Sequence, residues 1–203
     1  MRKILILALL VFGLHNVYSQ ELFFKTGLNR TSYSFTDQFG EKLEGLSPGI
    51  GSSFEIGMGM PFNQGWLKYE LGAAINSYNA TGGDFNNNYT WNTTYGGINN
   101  SISFFPTSGE LSIGILGTLG VSTIISGTQG LNNSRFDLKK HPEFSGILIQ
   151  PGLGLSFGYN IFNQGFLSIR YDVSKSVQLG EESVEKLQYL NNRLLFGIHF
   201  NLN

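Results

Sequence analysis

Residues Leu111 to Ile125 alternate between apolar side chains and small or polar ones, with almost no interruption. One face carries Leu111, Ile113, Ile115, Leu119, Val121 and Ile125, and the other carries Ser112, Gly114, Thr118, Gly120 and Ser122. Because successive side chains of a strand point to opposite faces, this pattern predicts a β-strand with one apolar and one polar face. The pattern recurs about eight times along the chain and therefore constrains the whole fold.

The polar faces of these segments repeatedly carry Gly, Ser, Asn and charged residues. Such faces suit an enclosed lumen, and the apolar faces suit contact with lipid. An open sheet cannot span a bilayer, since each unpaired backbone group would cost several kcal/mol, whereas a closed barrel pairs all of them. The pattern predicts an all-β fold, an eight-stranded antiparallel up-and-down transmembrane β-barrel.

The expected strands are separated by connections of alternating length. They span 21–35, 49–61, 66–78, 90–105, 110–125, 145–161, 166–177 and 187–202. Tight glycine turns at 63–65, 107–109 and 163–165 alternate with long connections at 36–48, 79–89, 126–144 and 178–186. This predicts short periplasmic turns and long extracellular loops. In the fourth strand Tyr95 and Ile98 fall on opposite faces, so a bulge is expected at Gly96-Gly97.

The N-terminus reads as an export signal. Arg2 and Lys3 precede an apolar run from Ile4 to Leu14, and small residues follow near Ser19. We expect a signal peptide at 1–19, a barrel domain at 20–203 and a location in the outer membrane. Removing the two basic residues changes the formal charge from −1 to −3. No basic field is left to attract nucleic acid.

The inward faces of the expected strands carry charges of both signs. These residues are Lys25, Glu55, Lys68, Glu70, Arg170, Asp172, Arg193 and His199. The nearly balanced signs predict an ion-pair network that plugs the lumen, because a barrel of eight strands is barely wide enough for its own side chains. A proton or small-ion path through this network stays open as an alternative.

Two turns are near copies of each other, Phe62-Asn63-Gln64-Gly65-Trp66 and Phe162-Asn163-Gln164-Gly165-Phe166. The aromatic residues Phe62, Trp66, Phe162 and Phe166 are expected to form a periplasmic girdle, where rings lie at the level of the lipid headgroups. A duplicated binding motif is the alternative.

Catalysis is not expected. The mature chain has only His141, in the longest loop, and His199, which has no serine beside it in the sequence. Neither a metal cluster nor a phosphate-binding loop nor a dinucleotide fingerprint is present in the sequence, so no cofactor is expected.

The chain resembles the small outer-membrane β-barrel families of Gram-negative bacteria, the OmpA-like transmembrane domain and especially the PorT-like barrels. The resemblance is carried by the signal ending Tyr18-Ser19-Gln20, the eight-strand rhythm, and the last strand, Gly197-Ile198-His199-Phe200-Asn201-Leu202. This end is similar to the signal by which the barrel-assembly machinery recognises its clients, although the chain ends in Asn203 and Leu195 takes a place that is usually polar. The resemblance implies no specific ligand.

We expect a structural protein or an interaction protein whose outer loops contact its partners. The candidate contact residues are Arg135, Phe136, Lys139 and Lys140. The expected partners are outer-membrane lipid, the assembly machinery during biogenesis, and a protein or glycan at the loops. Three alternatives stay open: a soluble lipocalin-like barrel with an apolar ligand, a narrow pore, and an accessory of a secretion apparatus, as some PorT-like proteins are.

Overall fold

The computed structural model describes residues 20–37, 39–42, 45–83, 88–107, 109–131, 134–162, 164–179 and 186–202. The expected signal peptide, 1–19, lies outside the described residues. The strands are β1 (Gln20–Thr36), β2 (Ser47–Phe62), β3 (Leu67–Gly83), β4 (Asn88–Phe104), β5 (Leu111–Leu131), β6 (Ser134–Asp137), β7 (Ile147–Phe162), β8 (Gly165–Lys175), β9 (Val177–Leu179) and β10 (Lys186–Leu202). Among the described residues, no helix is both long enough and apolar enough to cross a bilayer.

Eight long strands close into a ring. Each strand pairs antiparallel with its neighbours in the order β1, β2, β3, β4, β5, β7, β8, β10, and β10 pairs back onto β1 from Gln20 opposite Leu202 to Thr36 opposite Lys186. The short strands β6 and β9 extend the wall at one end. The predicted eight-stranded antiparallel barrel is confirmed, and its closure leaves neither β1 nor β10 as a free edge.

One end of the barrel carries the short connections, the start of β1 at Gln20 and the end of β10 at Leu202, and we call it the short-turn end. The turn between β2 and β3 is a single 3-10 turn, Asn63–Gly65. Asn63 and Gly65 both have positive φ, 49° and 89°. The sharp reversal therefore needs Gly65, because positive φ suits glycine better than any other residue. The opposite end is the long-loop end.

Most of the long strands have 16 to 21 residues, whereas about 9–11 tilted residues cross a bilayer. The excess lies at the long-loop end. Outward side chains there are polar, as at Arg30, Asn79 and Thr128, and inward side chains are aromatic, as at Tyr33 and Tyr189. The polarity of the wall thus inverts where the barrel leaves its apolar band.

Two expectations for the long-loop end were wrong. Residues 79–83 and 126–131, expected to be loop, continue β3 and β5 as paired strand. The bulge expected at Gly96-Gly97 lies instead in β5, where Tyr95 pairs with Ile124 and Thr94 pairs with Ser126. Ile125 is the extra residue, so β4 keeps its alternation unbroken.

Candidate functional site

The outer wall presents an apolar band formed by alternate residues of every long strand. Its exposed members include Leu22, Phe24, Leu28, Phe54, Ile56, Leu71, Ile75, Ile98, Ile102, Ile113, Ile115, Leu119, Leu153, Leu155, Phe157, Ile169, Leu194, Phe196 and Phe200. Asn100 is a polar residue within this band, and it is paired. Its carbonyl accepts a hydrogen bond from the Tyr69 hydroxyl at 2.6 Å, which lowers the cost of facing an apolar medium. A surface this apolar and continuous needs lipid or detergent around it.

The lumen near the short-turn end is filled by ion pairs. Glu70 lies at their centre and contacts three cations on three strands, Lys25 at 2.5 Å, Lys68 at 3.2 Å and Arg170 at 3.6 Å. Lys25 is also 3.7 Å from Glu55. Each of these side chains is buried. A buried carboxylate with three cationic partners has its charge compensated from several sides.

A second group of ion pairs lies toward the middle of the barrel. Asp172 is fully buried and accepts from Arg170 Nε at 3.0 Å and from Arg193 Nε at 2.9 Å. Asn99 completes the polar shell by donating to Glu55 at 2.7 Å. Alternation along β8 places both Arg170 and Asp172 inside, because they are two residues apart on one strand.

Glu21 was not among the predicted lumen residues, but it is buried and forms an ion pair with Lys68. The signal was available, because Glu21 is four residues before Lys25 on β1 and shares its inward face. With Glu21 included, four carboxylates (Glu21, Glu55, Glu70, Asp172) balance four cations (Lys25, Lys68, Arg170, Arg193). The network is electrically neutral when His199 is neutral.

His199 brings together residues that resemble a hydrolytic site. Its Nε2 is 2.9 Å from Ser168 Oγ, and its Nδ1 is 3.5 Å from Glu21. Lys68 Nζ, however, is 3.2 Å from the same Nδ1. An ammonium can only donate and Lys68 is nearer to Nδ1 than Glu21 is, so this contact favours the tautomer in which Nδ1 accepts and Nε2 carries the proton. In this tautomer Ser168 accepts a hydrogen bond from the imidazole, the reverse of what a general base requires.

Phe166 lies inside the barrel, so its assignment to the outer girdle was wrong. Its ring stacks on His199 at 4.1 Å between centroids and lies 4.4 Å from Lys68 Nζ. The charged and aromatic neighbours at the short-turn end hold it inward. Phe62 and Trp66 are exposed on the outer wall, where Trp66 meets Phe104 edge to face at 6.2 Å. The side chain of Phe162 lies outside the described residues.

Toward the long-loop end the lumen is filled by a cluster of aromatic side chains, which was not predicted from the sequence. Tyr33, Tyr78, Tyr95, Tyr189 and Trp91 are all buried. The ring of Tyr189 stacks on Tyr78 at 5.4 Å and meets Tyr33 edge to face at 4.6 Å. Their hydroxyls are paired too, as in the bond from Tyr78 to Gln150 at 2.9 Å. We call these five residues the aromatic plug.

The connection between β5 and β7 folds over this plug. A hairpin of β5 and β6 leads to a 3-10 turn at Leu138–Lys140 and a short helix at Pro142–Ser145. Leu138 and Phe144 are buried beneath it, and Phe144 meets Trp91 edge to face at 5.7 Å. The longest loop thus closes the barrel mouth from above.

The candidate contact residues lie on the outer side of the same connection. Arg135 and Phe136 belong to β6, and Lys139 and Lys140 to the 3-10 turn. All four are exposed. Asp137 lies between these residues in the sequence, and its carboxylate accepts a hydrogen bond from the backbone N–H of Lys139 at 3.0 Å. The surface therefore carries a net positive charge next to an exposed aromatic ring.

Small cavities of about 10 Å³ lie between the described side chains of the lumen. One lies beside Gln150 and Arg193, and another beside Ser168 and His199. A space of this size holds about one water molecule. Both are lined largely by polar residues, so neither suits an apolar ligand. Among the described residues, no group of three or more His, Asp or Glu side chains is arranged to hold a metal ion.

No family model and no curated protein matches this sequence. Among solved structures, neisserial surface protein A (NspA) is similar with a TM-score of 0.51 and 12% identity, over 88% of this chain and 96% of that chain. The attachment invasion locus protein Ail of Yersinia pestis, in complex with the heparin analogue sucrose octasulfate, has a TM-score of 0.48 and 13% identity, over 89% and 99%. The outer membrane protease OmpT of Escherichia coli has a TM-score of 0.48 and 8% identity, over 92% and 98%. The likeness to NspA shows the fold, and fold alone does not decide function.

Proposed function

We propose that this chain, which has the fold of the small outer-membrane β-barrels of Gram-negative bacteria, is an integral outer-membrane protein that acts through its surface loops. The observation that carries the proposal is the separation of charge: the apolar band is uncharged, and eight charged side chains are buried inside. A soluble barrel needs the opposite arrangement. The signal peptide at 1–19 would direct export, and the assembly machinery would insert the barrel with its long-loop end outside the cell.

The proposed contact surface consists of Arg135, Phe136, Lys139 and Lys140. Three cations lie within six residues, and the carboxylate of Asp137 is engaged with the backbone of the turn. Such a surface favours an acidic partner, either an acidic protein segment or an anionic glycan. The buried Leu138 and Phe144 hold the connection against the barrel and give the exposed side chains a defined position.

The proposed role is not catalytic. Ser168 is the one hydroxyl within hydrogen-bond distance of His199 in the described part of the chain, and the Lys68 contact favours the unproductive tautomer. The adjoining cavity of about 10 Å³ is too small for a substrate. These two features support a structural role for the His199 cluster.

The closed lumen also weighs against the narrow pore. Charged and aromatic side chains fill its two halves, and the cavities between them are of about 10 Å³ each. An apolar ligand of the lipocalin kind is not favoured, because the interior next to these cavities is polar. A role beside a secretion apparatus is compatible with the contact surface, and it stays an alternative.

The first test folds the mature chain in detergent micelles and compares its gel mobility before and after boiling. A folded barrel should migrate differently when unheated and should precipitate when detergent is removed. A chain that is monomeric and soluble without detergent, with no mobility shift, would overturn the membrane assignment.

A second test addresses the loop surface with heparin as the anionic glycan probe and polyglutamate as the acidic protein probe. The triple variant Arg135→Glu, Lys139→Glu, Lys140→Glu should lose retention on at least one of the two columns. Lys42→Glu is the matched control, because Lys42 is exposed in another connection. Equal retention of the triple variant and the control would contradict the proposed surface.

A further inference from the structure

The outer wall has a groove of about 280 Å³ across β1 to β4, formed by Phe24, Phe54, Ile56, Ala73, Ile75 and Gly96. Ala73 and Gly96 make it concave, because they carry little or no side chain between larger neighbours. Ile75 pairs with Gly96, and Ile56 pairs with Ala73, so the large residues flank the small ones directly. We call this feature the outer groove.

A row of hydroxyls borders the outer groove on the side of the long-loop end. Each of these hydroxyl residues lies two positions from a groove residue on the same strand, toward the long-loop end. The pairs are Ser52 with Phe54, Ser77 with Ile75, and Thr94 with Gly96. Ser77 Oγ is 3.5 Å from Ser52 Oγ and 3.4 Å from Thr94 Oγ1, so the three hydroxyls form a chain across three strands. Hydroxyls can donate as well as accept, so this row can bind ester carbonyls.

A cationic side chain, that of Arg30, lies beyond this row of hydroxyls in the direction of the long-loop end. Arg30 is exposed on β1 and pairs with Ile50, while Leu28 below it pairs with Ser52. Within the described residues, Arg30 forms no ion pair with an acidic side chain. A guanidinium at this level can bind a phosphate with two parallel hydrogen bonds.

The geometry points to a lipid-binding site on the outer wall, occupied by one phosphorylated, ester-linked lipid of the surrounding bilayer. Its acyl chain fills the outer groove, its ester region meets the row of Ser52, Ser77 and Thr94, and its phosphate meets Arg30. This inference rests on the proposed membrane location. It goes beyond general lipid contact, because it assigns the lipid to one place on the wall and aligns its acyl chain, ester region and phosphate with three named sets of residues.

A second copy of the barrel is a poorer occupant than an acyl chain. A twofold pair would bring two identical concave surfaces face to face and leave a void between them. A single flexible chain can follow a concave surface and contact it along its length. Since apolar contacts in a bilayer replace other apolar contacts, close packing and the headgroup contacts must supply the preference.

The test uses vesicles of phosphatidylcholine and phosphatidylglycerol in equal amounts. Wild-type barrel is reconstituted, extracted and examined by native mass spectrometry. We expect one retained phosphatidylglycerol. Ala73→Phe should fill the groove and reduce the adduct roughly tenfold. Gly117→Leu is the matched control, because Gly117 faces outward on β5 with open space around it. Arg30→Gln should abolish the preference for phosphatidylglycerol and keep a lipid bound.

Several results would overturn the site: no adduct on the wild type, an undiminished adduct on Ala73→Phe, a bound free fatty acid, or a dimer in place of the lipid. Heat-modifiability on gels is measured for each variant, so that loss of folding is not mistaken for loss of binding. A wild type that is monomeric and soluble in the absence of both detergent and lipid would instead contradict the membrane location itself.

Discussion

Tyr95 and Tyr189 meet across the full width of the barrel, with their hydroxyl oxygens 3.1 Å apart. Tyr95 belongs to β4 and Tyr189 to β10, which face each other across the ring of eight strands. Tyr95 also donates to the Phe144 carbonyl at 3.1 Å. Two opposite walls and the covering loop are therefore linked through one pair of side chains, which seals the lumen below the long-loop end.

Removing one hydroxyl of this pair should cost stability without disturbing the packing of the rings. We expect Tyr189→Phe to lower the free energy of unfolding by about 1 kcal/mol, because the Tyr95 hydroxyl loses a buried partner. Urea unfolding in liposomes measures the change. Tyr159→Phe is the control, since Tyr159 is 51% exposed on the outer wall. Equal stability of the two variants would contradict a role for the hydroxyl pair.

The charge balance of the lumen can be tested at Lys25. Lys25→Met should destabilise the barrel by about 3–5 kcal/mol, because it leaves buried carboxylates with one cation too few. Adding Glu55→Gln should recover part of this loss, since it removes the excess charge and keeps an oxygen that can accept from Asn99. A double-mutant cycle of unfolding free energies measures the recovery. Purely additive losses would show that the charges do not act as a network.

The lipid-facing band predicts a position-dependent penalty for arginine. Leu155→Arg should lower stability in liposomes by about 2–4 kcal/mol if the residue lies near the bilayer midplane. Thr128→Arg, at an exposed position beyond the band, should change stability by less than about 1 kcal/mol. Similar penalties at both positions would indicate that the band is not embedded in lipid.

The tautomer assigned to His199 predicts that Ser168 is unreactive. A fluorophosphonate probe should leave the folded wild type unlabelled, because the Ser168 hydroxyl accepts a hydrogen bond from the imidazole N–H and has no base to activate it. Labelling that disappears in Ser168→Ala would reveal a nucleophile and overturn the assignment. Labelling that persists in this variant would have to come from another residue.

The filled lumen predicts electrical silence. Wild-type barrel inserted into a planar bilayer should give no discrete current steps, because charged and aromatic side chains close the lumen at two levels. The recordings should stay silent in Tyr189→Ala as well, since the ion-pair network at the short-turn end is untouched. Regular current steps from the wild type would instead support the alternative that the barrel is a narrow pore.

The placement of the strands could be predicted because its cause is local. Alternation with period two is visible within any ten residues, and lipid on one side demands an uninterrupted apolar face. The expected strands at 49–61 and 187–202, for example, correspond to β2 at Ser47–Phe62 and β10 at Lys186–Leu202. The strands ran longer than expected at 79–83 and 126–131, because beyond the band the outer face is polar and the lipid pattern no longer marks it.

By itself, the sequence determined that this chain forms amphipathic strands with its charges on one face, because each side chain's face depends only on its position along its own strand. The tertiary structure alone decided which groups meet across the lumen. That Glu70 contacts Lys25, Lys68 and Arg170, and that Phe166 turns inward onto His199, depends on the stagger of neighbouring strands and on ring closure. Both are collective properties of all eight strands, and no single strand carries a signal for them.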